Sequence, residues 1–312
     1  ASMSMVLPDL GRLLTEQRNP DTMELDTFSP LQIVEAMNRE DRHAVDAVHA
    51  VLPQVAQAIN WSTKSLSAGG RIIYVGAGTS GRLGLLDAVE CPPTFGVSPD
   101  VVVGIIAGGK NAFVKAREGA EDSEKSGEED LKNKSLCDKD IVIGLAASGR
   151  TPYVVGALRY ARSLGCKTVS IACNPNSKIS AEADLAIEAV TGPEVLTGST
   201  RLKAGTAQKL VLNMISTGSM VGIGKAYENL MVDVQQNNEK LRARAQGIVC
   251  EACGCTPDVA SEKLDEADGN AKLAITMLLL GCDAESARAA LRKARGHVRQ
   301  AAKNASIERQ LA

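Results

Sequence analysis

Three stretches rich in glycine and hydroxyl side chains carry the residues best suited to chemistry. The first, Gly76-Ala77-Gly78-Thr79-Ser80-Gly81-Arg82-Leu83-Gly84, follows an apolar run at 72–75. Glycine lets backbone N–H groups come close to an anion. Adjacent hydroxyls at Thr79 and Ser80, at the start of a helix, suit a phosphate or a sugar hydroxyl. The pattern also fits G-x-G-x-x-G, but a dinucleotide site needs an acidic residue about twenty positions further on. Here the next apolar run ends at Ile106 and leads into Ala107-Gly108-Gly109, with no carboxylate to hold a ribose. The second stretch, Ala146-Ala147-Ser148-Gly149-Arg150-Thr151-Pro152, repeats the device, with hydroxyls at 148 and 151 and a proline suited to a first helical turn. Neither ends in the Gly-Lys-Ser or Gly-Lys-Thr of a nucleotide-binding P-loop. The third, 192–203, offers Glu194, the hydroxyls of Thr197, Ser199 and Thr200, and the cations Arg201 and Lys203. Any one of these stretches alone is an ordinary strand-to-helix turn or a capped helix with solvated charges. Two on successive crossovers point to a shared anionic ligand.

The only histidines, His43, His49 and His297, lie away from these stretches. Acid–base work therefore falls to carboxylates. Glu90 closes the helix expected after the first stretch and precedes Cys91-Pro92-Pro93-Thr94-Phe95, a turn stiff enough to hold it in place. Glu121 sits in Glu118-Gly119-Ala120-Glu121-Asp122, where spacing alone leaves Glu118 and Asp122 equally eligible, and where the plain reading is a solvated acidic face.

These residues need a scaffold. Short β-branched runs at 72–75, 101–106, 141–145, 168–172 and 185–190 alternate with helical segments, among them 152–164 and one near 112–119. That alternation predicts an α/β fold: a doubly wound parallel sheet with helices on both faces and ligand loops along one edge. Before it, Ser29-Pro30-Leu31-Gln32 has the form of a capping box opening a helical region. After it come a long helix at about 199–218 and a polar stretch at 235–238. Three short helices near 248–253, 256–267 and 270–280, with one more to the end, form a small C-terminal domain resembling ubiquitin-associated (UBA-like) modules. The expected division is 1–60 helical, 61–245 the sheet domain and 246–312 the helical domain.

Lysine and arginine total 35 against 37 acidic residues, a net charge of −2 without a long basic run, which argues against a nucleic-acid surface. The longest apolar stretches, such as 274–280, are too short to span a bilayer, and no basic-then-apolar opening suggests a signal peptide. Of eight cysteines only Cys250, Cys253 and Cys255 cluster, and no second Cys or His pair lies nearby to complete a zinc site. Reduced, buried thiols and a cytoplasmic location are expected.

Taken together, GAGTSGRLG, DAVECPPTF, EGAED, AASGRTPYV and TGSTRLKAGTAQKLVLNM closely resemble the N-acetylmuramic acid 6-phosphate etherase family of the sugar-isomerase (SIS) fold. The likeness runs from Thr15-Glu16-Gln17-Arg18-Asn19-Pro20 into the C-terminal helices, with small departures at Val89 and Lys110. The resemblance implies cleavage of a lactyl ether with no metal or cofactor, and catalytic roles for Glu90 and Glu121. It implies that Gly78, Thr79, Ser80, Ser148, Gly149, Arg150 and Thr151 hold a sugar phosphate, with Glu194, Ser199 and Lys203 nearby. It further implies a homodimer, with a small-molecule substrate and neither nucleic acid nor membrane as partner. Two other functions fit the fold: a non-catalytic sugar-phosphate sensor like the glucokinase regulatory protein, which carries two such domains in tandem, and an aldose–ketose isomerase.

Overall fold

The five β-branched runs become strands because each is short and apolar, with the central ones covered on both faces. The computed structural model describes residues 12–114, 119–234 and 238–312. Helix α1 (Pro30–His49) opens with the expected capping box: the Ser29 hydroxyl accepts from the Gln32 N–H at 3.2 Å, and the Gln32 amide oxygen from the Ser29 N–H at 2.8 Å. Then follow α2 (Leu52–Ser67), β1 (Ile72–Gly76), α3 (Gly78–Phe95), β2 (Val102–Ile106), α4 (Glu124–Asn133) and β3 (Ile141–Leu145). The series continues through α5 (Pro152–Ser163), β4 (Lys167–Ala172), β5 (Leu185–Glu188) and α6 (Lys203–Gly222). β1 and β3 are buried along their whole length, as a parallel sheet covered on both faces requires.

The sheet order is β2-β1-β3-β4-β5 and every pairing is parallel. The chain starts at β1, steps out to β2, then returns past β1 to β3 and continues the other way. The reversal lies between β1 and β3, and crevices at such points are where open α/β sheets bind ligands. Gly76, the last residue of β1, pairs with Ile106 on one side and Leu145 on the other. The loops after β1 and β3 therefore leave the sheet side by side.

At the opposite end of these strands a buried ion pair fixes the same two neighbours. One Asp140 oxygen accepts from the backbone N–H and Nε of Arg71 at 2.9 and 3.2 Å, and the other from Arg71 Nη2 at 2.8 Å and the Cys137 N–H at 3.0 Å. Burial pushes the Asp140 carboxyl up, but the Arg71 guanidinium and these N–H groups more than reverse it, and it sits below the usual range.

Contacts divide the chain into two units. The first runs through Val89 and resumes at Asp100–Ser216; the second combines Glu90–Pro99 with Thr217–Ala312. The second holds a short hairpin, β6 (Ala226–Tyr227) and β7 (Leu230–Met231), and helices α7 (Glu239–Cys253), α8 (Pro257–Glu266), α9 (Ala271–Leu280), α10 (Ala284–Lys293) and α11 (Val298–Leu311). Asn238, Thr256, Asn270 and Asp283 cap the first four of these helices through their side chains. Leu273, Ile275 and Met277 of α9 lie in its buried core with Ile248, Leu264 and Val298.

Several expectations need correction. The last stretch holds two helices, not one, because Arg295 and Gly296 both adopt positive φ and break the helical path between α10 and α11. Near 112–119 the described residues form a 3-10 turn at Lys110–Phe113 and, after residues outside the described set, another at Ala120–Asp122. Residues 115–118, and with them the Glu118 alternative, lie outside the described residues, as do 235–237. Among the described residues no helix is long and apolar enough to cross a membrane.

Candidate active site

The first loop is one residue long: Ala77 joins β1 to α3, whose first-turn amides have no partner within the helix. Gly81 is needed because a Cβ there would stand 2.7 Å from the Gly76 carbonyl oxygen and 2.6 Å from Ile106 Cγ1. Thr79 is half-buried, and its hydroxyl has no hydrogen bond among the described residues. Ser80 is buried, and its Oγ meets the side chain of Gln208 on α6, 3.0 Å from Nε2 and 3.3 Å from Oε1. The two adjacent hydroxyls are thus not equivalent. One has no hydrogen-bond partner among the described residues, and the other ties the start of α3 to α6.

In the second loop the Arg150 N–H donates to Ser148 Oγ at 3.2 Å, which leaves the Ser148 hydroxyl hydrogen for a ligand oxygen. Gly149 adopts φ +78, and a Cβ there would lie 2.1 Å from Ser177 Oγ. Thr151, half-buried and without a side-chain hydrogen bond among the described residues, precedes α5, where Pro152 occupies the first turn. Together the loops present two partnerless threonine hydroxyls, a serine O–H and two helix N-termini along one sheet edge, an arrangement that suits a phosphate.

The third loop is mostly occupied with its own structure. Glu194 is buried and accepts the N–H groups of Lys203 and Ala204 at 3.1 and 3.0 Å, capping α6. Burial raises its pKa against the pull of those N–H groups and the Lys203 charge. Lys203 is itself buried and its Nζ lies 2.6 Å from Glu40 Oε2 on α1. Burial opposes ionisation of Glu40, but the Lys203 bond and charge prevail and hold its carboxyl below the usual range. Ser199 is half-buried and Arg201 exposed.

Glu90 and Glu121 are both exposed. Glu121 stands in the Ala120–Asp122 turn. Glu90 does not close its helix: α3 runs on through Pro92 and Pro93 to Phe95. Two consecutive prolines leave the carbonyls four residues upstream without their N–H donors. The helix persists with Thr94 Oγ1 donating to the Glu90 carbonyl at 2.8 Å and the Gly96 N–H to the Pro92 carbonyl at 2.8 Å. One turn before Glu90, buried Asp87 accepts from the Tyr74 hydroxyl at 2.7 Å and the Ser216 hydroxyl at 3.1 Å, fixing α3 between β1 and α6. Among the described residues no three or more His, Cys, Asp or Glu side chains converge as a metal site, and all eight cysteines are free thiols.

Asn174 and Gln208 escaped the sequence reading. Asn174 follows β4 at the ligand edge, and an asparagine directly after a buried strand is a usable signal. Gln208, in mid-helix, gave none.

A parallel sheet with two hydroxyl-bearing loops at its point of reversal defines a doubly wound α/β protein with a candidate anion site at that edge. In keeping with this, residues 54–162 match the family model described as the glucokinase regulatory protein N-terminal SIS domain, and residues 109–217 match the SIS domain. The chain belongs to the N-acetylmuramic acid 6-phosphate etherase family. It is 58% identical over 293 residues to the N-acetylmuramic acid 6-phosphate etherase of Pectobacterium atrosepticum, covering 94% of this chain and 97% of that one. It is 55% identical to that of Actinobacillus pleuropneumoniae, covering 96% and 98%. Among solved structures it is similar to a phosphoheptose isomerase from Francisella tularensis, at 15% identity and a TM-score of 0.48, over 62% of this chain and 100% of that one.

Proposed function

We propose that the chain cleaves the D-lactyl ether of N-acetylmuramic acid 6-phosphate, giving N-acetylglucosamine 6-phosphate and D-lactate. The observation that carries this reading is end-to-end likeness to etherases at 55–58% identity. An ether alkoxide is a poor leaving group, so direct hydrolysis is slow. In the ring-opened sugar the C2 proton is α to the aldehyde. A base removes it, the C3–O bond breaks, and the departing oxygen takes a proton from an acid. Water then adds at C3 of the unsaturated aldehyde and C2 is reprotonated, so the sum is substrate plus one water. The chemistry asks for two carboxyl groups and calls on no cofactor.

Glu90 is the acid–base group at C2 and the lactyl oxygen, and Glu121 assists water addition. Thr79, Ser148 and Thr151, with the N–H of Gly78, hold the phosphate and sugar hydroxyls, and Gly149 and Arg150 shape the second loop around them. Ser80 shapes this wall from behind, as do Glu194 and Lys203 at the start of α6, and Ser199 lies on the third loop. Both carboxylates are exposed in the single chain, whereas the chemistry runs best where bulk water is excluded. A homodimer meets that need by supplying cover, and the exposed apolar residues Leu31, Val34 and Val45 on α1 support it. The division into residues 1–60, 61–245 and 246–312, and a cytoplasmic location suited to eight reduced thiols, belong to the same reading.

The test is incubation of purified protein with N-acetylmuramic acid 6-phosphate while D-lactate is followed by a coupled dehydrogenase. D-lactate should appear in equal amount with N-acetylglucosamine 6-phosphate. A ketose product without lactate would make the protein an isomerase. Tight binding without turnover would make it a sensor.

A further inference from the structure

The segment ahead of α1 is stitched across the ligand edge of the sheet. Thr15 and Asn174, 159 positions apart and both buried, form a reciprocal pair: the Thr15 N–H donates to Asn174 Oδ1 at 3.3 Å, and Asn174 Nδ2 donates to Thr15 Oγ1 at 2.9 Å. The same Nδ2 reaches the carbonyl of Ser148 at 3.1 Å and that of Ala147 at 3.4 Å. Four residues on, Asn19 Nδ2 donates to the Pro193 carbonyl at 3.2 Å, and the Thr22 hydroxyl to the Val195 carbonyl at 2.8 Å. The leader thus grips the third loop directly and the second through Asn174.

Asn174 also governs the second loop from its own backbone. Its carbonyl accepts from Ser177 Oγ at 2.7 Å, and that hydroxyl occupies the space a side chain at position 149 would need. The Ile179 N–H closes on the Gly149 carbonyl at 3.0 Å. Every carbonyl of the turn 147–149 is therefore held by a hydrogen bond, which fixes the backbone that carries the Ser148 hydroxyl.

We propose that Thr15 and Asn174 are positioning residues for the sugar-phosphate site: the leader strap, acting through Asn174, sets the Ser148–Gly149 turn in its ligand-binding form. Neither residue needs to touch the ligand. The proposal rests on the sugar-phosphate reading of the loops and is independent of what happens to the ligand afterwards.

The test uses the full chain with Thr15→Val, which keeps the shape but removes the acceptor, Thr15→Ser, which restores it, and Asn174→Ala. Affinity for N-acetylglucosamine 6-phosphate is measured by calorimetry, and KM and kcat on N-acetylmuramic acid 6-phosphate by lactate release. Loss of one acceptor of the buried Asn174 amide should weaken binding and raise KM by about tenfold for Thr15→Val, with kcat changed by less than about twofold. Thr15→Ser should recover most of the loss. Asn174→Ala should do at least as much harm as Thr15→Val, and the double variant should add little to it, because both act through one contact. A folded Thr15→Val protein with unchanged affinity would overturn the proposal, as would a fall in kcat and melting temperature with affinity intact. Binding does not depend on turnover, so a wild-type chain that binds the sugar phosphate but releases no lactate would defeat the etherase reading while the strap is still tested.

Discussion

Glu90→Gln is expected to slow D-lactate release by between about a hundredfold and ten-thousandfold, the usual range when a general acid–base group is lost. The amide matches the carboxylate in shape but can neither take the C2 proton nor deliver one to the lactyl oxygen. The substitution should cost little stability, within roughly 0.5 kcal/mol, because Glu90 is exposed and the bond that steadies its turn, from Thr94 Oγ1, goes to its backbone carbonyl. Affinity for N-acetylglucosamine 6-phosphate should persist, since the hydroxyl-bearing loops are untouched. Steady-state lactate release alongside calorimetric binding separates the two effects. A folded variant that keeps a tenth or more of wild-type turnover would remove Glu90 from the chemistry.

Gly149→Val should be nearly as damaging by another route. The backbone there is at φ +78, a region that β-branched residues avoid, and the new Cβ would fall 2.1 Å from Ser177 Oγ and 2.4 Å from Ser177 Cβ. Backbone strain and overpacking each cost on the order of 1–3 kcal/mol, and the turn relieves both by leaving its ligand-binding form. Affinity for the sugar phosphate should fall by about a hundredfold or more, with a melting temperature lowered by several degrees. Calorimetry and thermal unfolding check both. Unchanged binding would show that the second loop does not hold the ligand.

Local pattern carried much of this architecture. The β-branched runs marked all five strands, and the glycine-hydroxyl stretches marked the loops at the sheet's point of reversal, because both features follow from residues next to one another in sequence. Ser29-Pro30-Leu31-Gln32 specified its helix start for the same reason. What stayed hidden depends on partners far apart. The bond between Ser80 and Gln208, 128 positions away, leaves no local mark. Glu194 and Lys203 read as site charges until one caps α6 and the other meets Glu40. Thr15 and Asn174 are unremarkable singly and informative only as a pair. Two errors were local. Pro92-Pro93 reads as a helix stop although the helix continues, with Thr94 taking the Glu90 carbonyl. Arg295-Gly296 carries a local stop signal, glycine after a helical stretch, that divides the last helical stretch in two.

Elimination followed by water addition at C3 is read out by running the reaction in H2-18-O, with position-resolved mass spectrometry of both products. Elimination leaves the original ether oxygen on lactate and brings the new oxygen to the sugar. The label should therefore appear in N-acetylglucosamine 6-phosphate at C3 and be absent from the lactate hydroxyl. Label in the lactate hydroxyl, with none at C3 of the sugar, would mean that water attacks the lactyl carbon, and would contradict the roles assigned to Glu90 and Glu121.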